Sequence, residues 1–207
     1  MATAYFIGGA PRVAKSTLLA KLLQVKPMPS ASTDDMRSKL RLTISEEVEP
    51  ALYYLDSLNQ DEANMARLML EETNAIITAT NAESAVVWRK VEPFVITHLA
   101  AGNDVAVEGI ALLPYQLTEL DFDYRVVHLG NQSPSHAEII QNYAKSHPQS
   151  WLGGLKPTTI TAFAHYAQAY SQQVEAQAIK YHQDYLDMAS GSFESALDKA
   201  LAALLTD

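Results

Sequence analysis

The chain contains no cysteine. Disulfides and thiolate-bound metal centres are therefore excluded. No apolar run reaches the ~18 residues of a membrane span, and no charged-then-apolar leader opens the sequence. The expectation is a soluble, cytoplasmic protein with no membrane partner. Basic residues are also scarce: 15 Lys and Arg stand against 24 Asp and Glu, for a net charge of −9. A nucleic-acid surface needs a basic stripe, so no nucleic-acid partner is expected. Internal repeats and low-complexity linkers are absent too. What remains is 207 residues, 48% of them hydrophobic. That is enough for one domain with a full core, and the reading is a single domain over 1–207.

The most informative stretch runs from Phe6 through Thr17. Ala4-Tyr5-Phe6-Ile7 is a short apolar run suited to a buried strand, and Gly8-Gly9 ends it. From Lys15 onward Leu18, Leu19, Leu22 and Leu23 fall on one helical face. The loop between them, Gly9-Ala10-Pro11-Arg12-Val13-Ala14-Lys15-Ser16, nearly fits G-x-x-x-x-G-K-[ST], with Thr17 following. Such a loop aims successive backbone N–H groups at phosphate oxygens, backed by a helix N-terminus. Lys15 would reach the β- and γ-phosphates of a nucleotide, and the Ser16 hydroxyl would bind Mg²⁺. The acidic net charge does not oppose ATP, because backbone dipoles and one lysine do most of the binding. Ala14 departs from the pattern, standing where a second glycine would let backbone approach phosphate and allow φ > 0. The bland alternative is a glycine-rich turn that binds nothing.

Downstream, Ser30-Ala31-Ser32-Thr33 suits only a short strand. Thr33 or Asp34 then suits the N-cap of a helix sharing Met36 and Leu40 on one face. Asp34 and Arg37 are placed to grip a hydroxylated substrate, or else form a cap and an i,i+3 ion pair. Glu46, Glu47 and Glu49 mark a solvated acidic loop. Asn59-x-x-Glu62 opens a helix expected to reach about 80. Asn81 and Glu83 open another to about 101, with Trp88, Val91, Val95 and Leu99 on one face and Pro93 expected to kink or split it. His98 on that helix suits packing or the surface better than a ligand role. Asp104-Val105-Ala106-Val107-Glu108-Gly109 is a strand ending in an acid. Ligands of open α/β sheets sit beyond the carboxyl ends of strands. There Glu108 would hold Mg²⁺ through water or accept a hydroxyl proton, unless it merely caps the next turn. Further strands fall at 124–129 and 184–188. Helices follow Ser133-Pro134-Ser135 as far as 146, Thr158 or Thr159 to about 182, and Phe193 to Leu205. Strands alternating with helices imply an α/β protein whose parallel sheet is covered on both faces.

Three segments together resemble the P-loop small-molecule kinases, especially the 2-phosphoglycerate kinase-like group. They are the loop from Gly8 to Leu18, Thr33-Asp34-Asp35-Met36-Arg37, and Val107-Glu108-Gly109 followed by Leu112-Leu113-Pro114. The closing Phe193-Glu194-Ser195-Ala196-Leu197 helix is similar to that of nucleoside and nucleotide kinases. The resemblance implies a three-layer P-loop NTPase fold whose five parallel strands lie in the order 2-3-1-4-5, with a lid-like region at about 131–160. It implies ATP and Mg²⁺, and transfer of the γ-phosphoryl group to a small-molecule acceptor. By it, residues 9–17 bind nucleotide, Lys15, Asp34, Arg37 and Glu108 are catalytic, and Ser16 and Glu108 hold the metal.

Departures from the group are Ala14, Ala111 where histidine is common, and a lid without arginine. Only Lys145, Lys156, His136 and His147 are available there, and lysine is the poorer bidentate partner for phosphate. Two other functions stay open: a nucleotide-binding module with little or no turnover, and a nucleotide hydrolase. The acceptor itself is not named by these motifs. A phosphoglycerate-like acid, a sugar or an antibiotic alcohol would each suit an acid-lined pocket.

Overall fold

In the computed structural model, which describes residues 2–58 and 60–206, strand β1 (Ala4–Gly9) is buried along its whole length. It feeds α1 (Lys15–Val25), then β2 (Ser30–Ser32) and α2 (Thr33–Arg41). A single turn at Pro50–Leu52 leads to α3 (Tyr54–Leu58), α4 (Glu62–Glu71) and α5 (Thr73–Ala100). Strand β3 (Val105–Glu108), α6 (Pro114–Leu117), β4 (Tyr124–Gly130) and α7 (His136–Ser146) follow. After a turn at Leu152–Gly154 the chain closes with α8 (Pro157–Lys180), β5 (Asp184–Asp187) and α9 (Phe193–Leu205). The sheet order is β2-β3-β1-β4-β5, and every pairing is parallel, as the sequence led us to expect.

The period of two along the strands divides the core. Tyr5, Ile7, Ala106, Val127 and Leu129 point to one face, where they meet Leu18, Leu22, Tyr170 and Leu197. Ala4, Phe6, Val105 and Val107 point to the other, against Met36, Val87, Val91 and Val95. Helices thus cover both faces, which is why the central strands read as continuous apolar runs.

Three expectations shift in detail. Ser32, and neither Thr33 nor Asp34, caps α2, accepting the Asp34 backbone N–H at 3.2 Å. The helix expected from Asn59 opens instead under an Asp61 cap, and Asn59 itself lies outside the described residues. That helix ends at Glu71, and α5 passes unbroken through Asn81 and Pro93. Asn81 is engaged by tertiary structure: its Oδ1 accepts from the Tyr170 hydroxyl at 3.2 Å. Pro93 and Arg89 lie on the exposed side, so the carbonyl freed by the proline faces water and the helix tolerates it. His98 packs edge-on against Phe94, in keeping with a packing role. Among the described residues no helix is long and apolar enough to cross a membrane.

One buried group makes the fold sensitive to acid. His128 on β4 is fully enclosed behind Gly8, with Nε2 2.7 Å from Gln183 Oε1 and Nδ1 unpartnered. Burial pulls its pKa from 6.5 down to about 4. Between those values the unfolded ring binds a proton that the folded ring refuses, so stability falls as pH falls through this window and levels off below it. The loss should total about 3 kcal/mol, or roughly 10 °C in Tm. Thermal melts from pH 7 to 4 should show it, and His128→Asn should remove most of the slope. Burial depresses His136 in the same direction and leaves a residue of it.

Candidate active site

The site begins where β1 leaves the sheet. Gly9 has φ 128°, and a Cβ there would collide with the Leu129 carbonyl. Only glycine lets the chain turn this close to β4. Ala10 N–H donates to the same carbonyl at 3.0 Å, which fixes the root of the loop. Two non-glycine residues in the loop take positive φ: Arg12 at 60° and Ala14 at 67°. Ala14 is thus left-handed at the N-cap of α1 and offers no side-chain cap. Such a conformation costs an alanine about 1–2 kcal/mol. Packing of its methyl against the core helps to hold it there.

Lys15 is buried, and its Nζ donates to the Ala10 carbonyl at 2.6 Å. Burial pulls its pKa down to about 8, Glu108 and Asp34 resist that pull, and Arg12 adds to it. A desolvated ammonium resting on a backbone carbonyl is poised to exchange that carbonyl for an anion. One residue on, Ser16 Oγ donates to Glu108 Oε1 at 3.2 Å, joining the head of α1 to the end of β3. Glu108 therefore faces the loop and does not serve merely as a turn cap. Gly109, at φ 147°, lies so close to Thr33 that no side chain would fit, which brings the start of α2 to the same strand end.

A cleft of about 880 Å³ spreads from this point. It collects Pro11 to Thr17, Asp34, Arg37 and Glu108, which are most of the residues singled out from the sequence. Gly9 and Ala10 are absent from the lining and support it from beneath. Arg37 does not stand free: its Nη1 lies 3.4 Å from Glu83 Oε2, and its Nη2 lies 3.9 Å from Asp34 Oδ1. Glu83, on α5, is only 6% exposed, and burial pushes its pKa up despite Arg37 and Arg41. Sequence reasoning saw Glu83 only as a helix opener. The signal it missed is an acid on the buried face of α5, next to Ser84, Val86 and Val87.

The 131–160 segment differs from the expectation in one instructive way. Lys145 is exposed, Lys156 pairs with Glu62 at 3.8 Å, and His136 is buried against the Arg12 carbonyl. His147 stacks on Tyr143 with ring centroids 4.2 Å apart. None of these four lines the cleft. Instead Arg12, from the loop itself, lays its guanidinium over the other neighbour, the Tyr143 ring, at 4.2 Å. A cation thus stands beside the loop on α7 although α7 carries no arginine.

No protein-family model and no curated protein matches this chain. Solved structures do match it. A dephospho-CoA kinase from Campylobacter jejuni superposes with a TM-score of 0.51 at 13% identity, over 99% of this chain and 96% of its own. A shikimate kinase from Bacteroides thetaiotaomicron gives 0.51 at 15% identity, over 98% of both chains. The fold is P-loop kinase-like. At these identities the likeness is one of fold, and the chemistry has to be argued from the cleft.

The left-handed Ala14 makes a direct test of that cleft. In Ala14→Gly the loop loses its strain and the methyl that lines the cleft. Flexibility gained by the free loop opposes this by up to ~1 kcal/mol. Affinity for a non-hydrolysable ATP analogue with Mg²⁺ should rise by about tenfold or less, equivalent to 1.4 kcal/mol. Calorimetric titration of both proteins measures it. Weaker binding by the glycine variant would mean that Ala14 is a fitted part of the loop.

Proposed function

We propose that this chain is an ATP-dependent phosphotransferase acting on a hydroxyl group of a small-molecule acceptor. The observation that carries the reading is Lys15. A buried ammonium at a helix N-terminus, bonded to a carbonyl and flanked by a glycine turn, matches the needs of a β,γ-phosphate pair. Residues 9–17 would cradle the nucleotide, and the 131–160 segment would act as the lid. Arg12, held by Tyr143, supplies charge that lysines 145 and 156 do not bring to the cleft.

The two oxygen donors Ser16 and Glu108 fit Mg²⁺, which uses few protein ligands and keeps waters and phosphate oxygens as the rest. When bound, Mg²⁺ would neutralise phosphate charge. The chain's own residues do the positioning. Lys15 would hold the transferring phosphoryl group, and Asp34 with Arg37 would orient the acceptor. The acceptor oxygen bonds to the γ-phosphorus while the bond to the β,γ-bridging oxygen breaks. ADP leaves with that electron pair, and the hydroxyl proton passes to Asp34 or Glu108. Phosphoryl transfer needs little beyond positioning and charge neutralisation, so these parts suffice.

The strained Ala14 favours a second reading, a nucleotide-binding module with little turnover. An assay with ATP and candidate acceptors separates the two, and a hydrolase as well. Acceptor-dependent ADP release supports the kinase, acceptor-independent release the hydrolase, and binding without release the module.

Two variants probe the roles. Lys15→Ala should abolish transfer and leave the fold intact, since a desolvated charge is removed and no core contact is lost. Normal turnover would refute the loop assignment. Glu108→Gln should lower kcat by roughly a hundredfold, the low end of a positioned acid–base group, with nucleotide affinity changed much less. Equal losses in both would make Glu108 a structural residue.

A further inference from the structure

The acceptor half of the cleft has a charge pattern that the kinase reading does not explain. Beyond the loop its charged lining is Asp34, Arg37, Asp56, Glu83 and Glu108, four carboxylates to one guanidinium. The guanidinium is drawn toward the acids, with Nη1 3.4 Å from Glu83 Oε2 and Nη2 3.9 Å from Asp34 Oδ1, while its buried Nε has no hydrogen-bond partner among the described residues. The next cation, Arg41, is committed more deeply. Its Nη2 lies 2.8 Å from Glu83 Oε1, its Nε donates to the Leu52 carbonyl at 2.7 Å, and it pairs with Asp56. Recruiting Arg37 to an incoming anion would make Glu83, buried on α5, share one of its two counter-charges, and under-compensating a buried charge in this way is unfavourable. An acceptor carrying phosphate or carboxylate therefore meets four acids against two arginines that already face them. The remaining wall is apolar and adaptable. Met65, Met69, Ile76, Phe163 and Tyr166 line it, and Trp151, 44% exposed, stands edge-on to Phe163 at 5.3 Å. Flexible methionines and aromatic faces suit an apolar body.

We infer that the acceptor is a neutral or amine-bearing alcohol with an apolar, aromatic-sized body, and not a phosphorylated or carboxylated metabolite. The inference rests on the kinase reading for its chemistry, and on the carboxylates and the apolar wall for its selectivity. The alcohol's hydroxyl would meet Asp34 and Glu108, its body would lie on the Met65, Phe163 and Trp151 wall, and an ammonium group would find Asp56, which pairs with Arg41 yet stays half-exposed. It departs from what the resemblance to 2-phosphoglycerate kinases implies, and the ion pairs of Arg37 and Arg41 are the reason.

Three probes of similar reach test it: 2-phenylethanol, 2-amino-1-phenylethanol and 2-phosphoglycerate. Each is added at equal millimolar concentration to the protein holding a non-hydrolysable ATP analogue and Mg²⁺, and binding is read by saturation-transfer NMR. The two aryl alcohols should show transfer and the phosphoglycerate none. Asp56→Asn should weaken the amine about threefold relative to the neutral alcohol, as for a half-exposed ion pair. An unchanged ratio, no transfer to either alcohol, or preferential binding of 2-phosphoglycerate would overturn the inference. ADP release driven by 2-phosphoglycerate would overturn it while upholding phosphoryl transfer. Alcohol binding to a protein that takes no ATP analogue would uphold the selectivity and overturn the kinase reading.

Discussion

The structure depends on the close approach of Gly9 to Leu129. Strand β1 is the central strand, paired to β3 on one edge and β4 on the other, so its end is firmly placed. The chain must turn off that point without a side chain, because the Leu129 carbonyl occupies the space. From there the loop has five residues, Ala10 to Ala14, to reach the start of α1. It manages the distance with two left-handed non-glycine residues. The result is a fixed cradle with Lys15 at its base, Glu108 on the neighbouring strand and Asp34 one strand further out. Parallel topology places all three at the same end of the sheet.

Charge is distributed unevenly across the cleft. At the loop a buried lysine has, among the described residues, a backbone carbonyl as its hydrogen-bond partner, an arrangement open to an anion. At the α2–α5 side the arginines already face carboxylates, an arrangement less favourable to one. Two ends with opposite preferences on one cavity suit a reaction in which one reactant brings many negative charges and the other brings none. Under the proposed function, the same division would keep the nucleotide's phosphates at the loop.

The sequence made the strands, their parallel arrangement and the loop legible because each has a short-range cause. Apolar runs bounded by glycine mark β1 and β3, and Gly-x-x-x-x-x-Lys-Ser is a spacing imposed by backbone geometry. Asp34 and Glu108 were legible as acids at strand ends. The position of Ala14 could be posed as a question of sign, and the structure answers it with φ 67°. What stayed hidden depends on partners distant in the chain. Glu83 gains its meaning from α2 packing on α5, and Arg12 from Tyr143, 131 positions on. The break at Glu72 was misplaced because Asn81, a plausible cap by residue type, is used by Tyr170. Local pattern records the elements well and records poorly which side chains their packing will consume.

The central claim is that Lys15 surrenders the Ala10 carbonyl to a nucleotide phosphate. A crystal structure of the protein with a non-hydrolysable ATP analogue and Mg²⁺ tests it most directly. The account predicts β- and γ-phosphates over residues 10–16, with Lys15 Nζ moved onto them from Ala10 and Ser16 released from Glu108. Phosphates bound elsewhere, with Lys15 still on the Ala10 carbonyl, would contradict it.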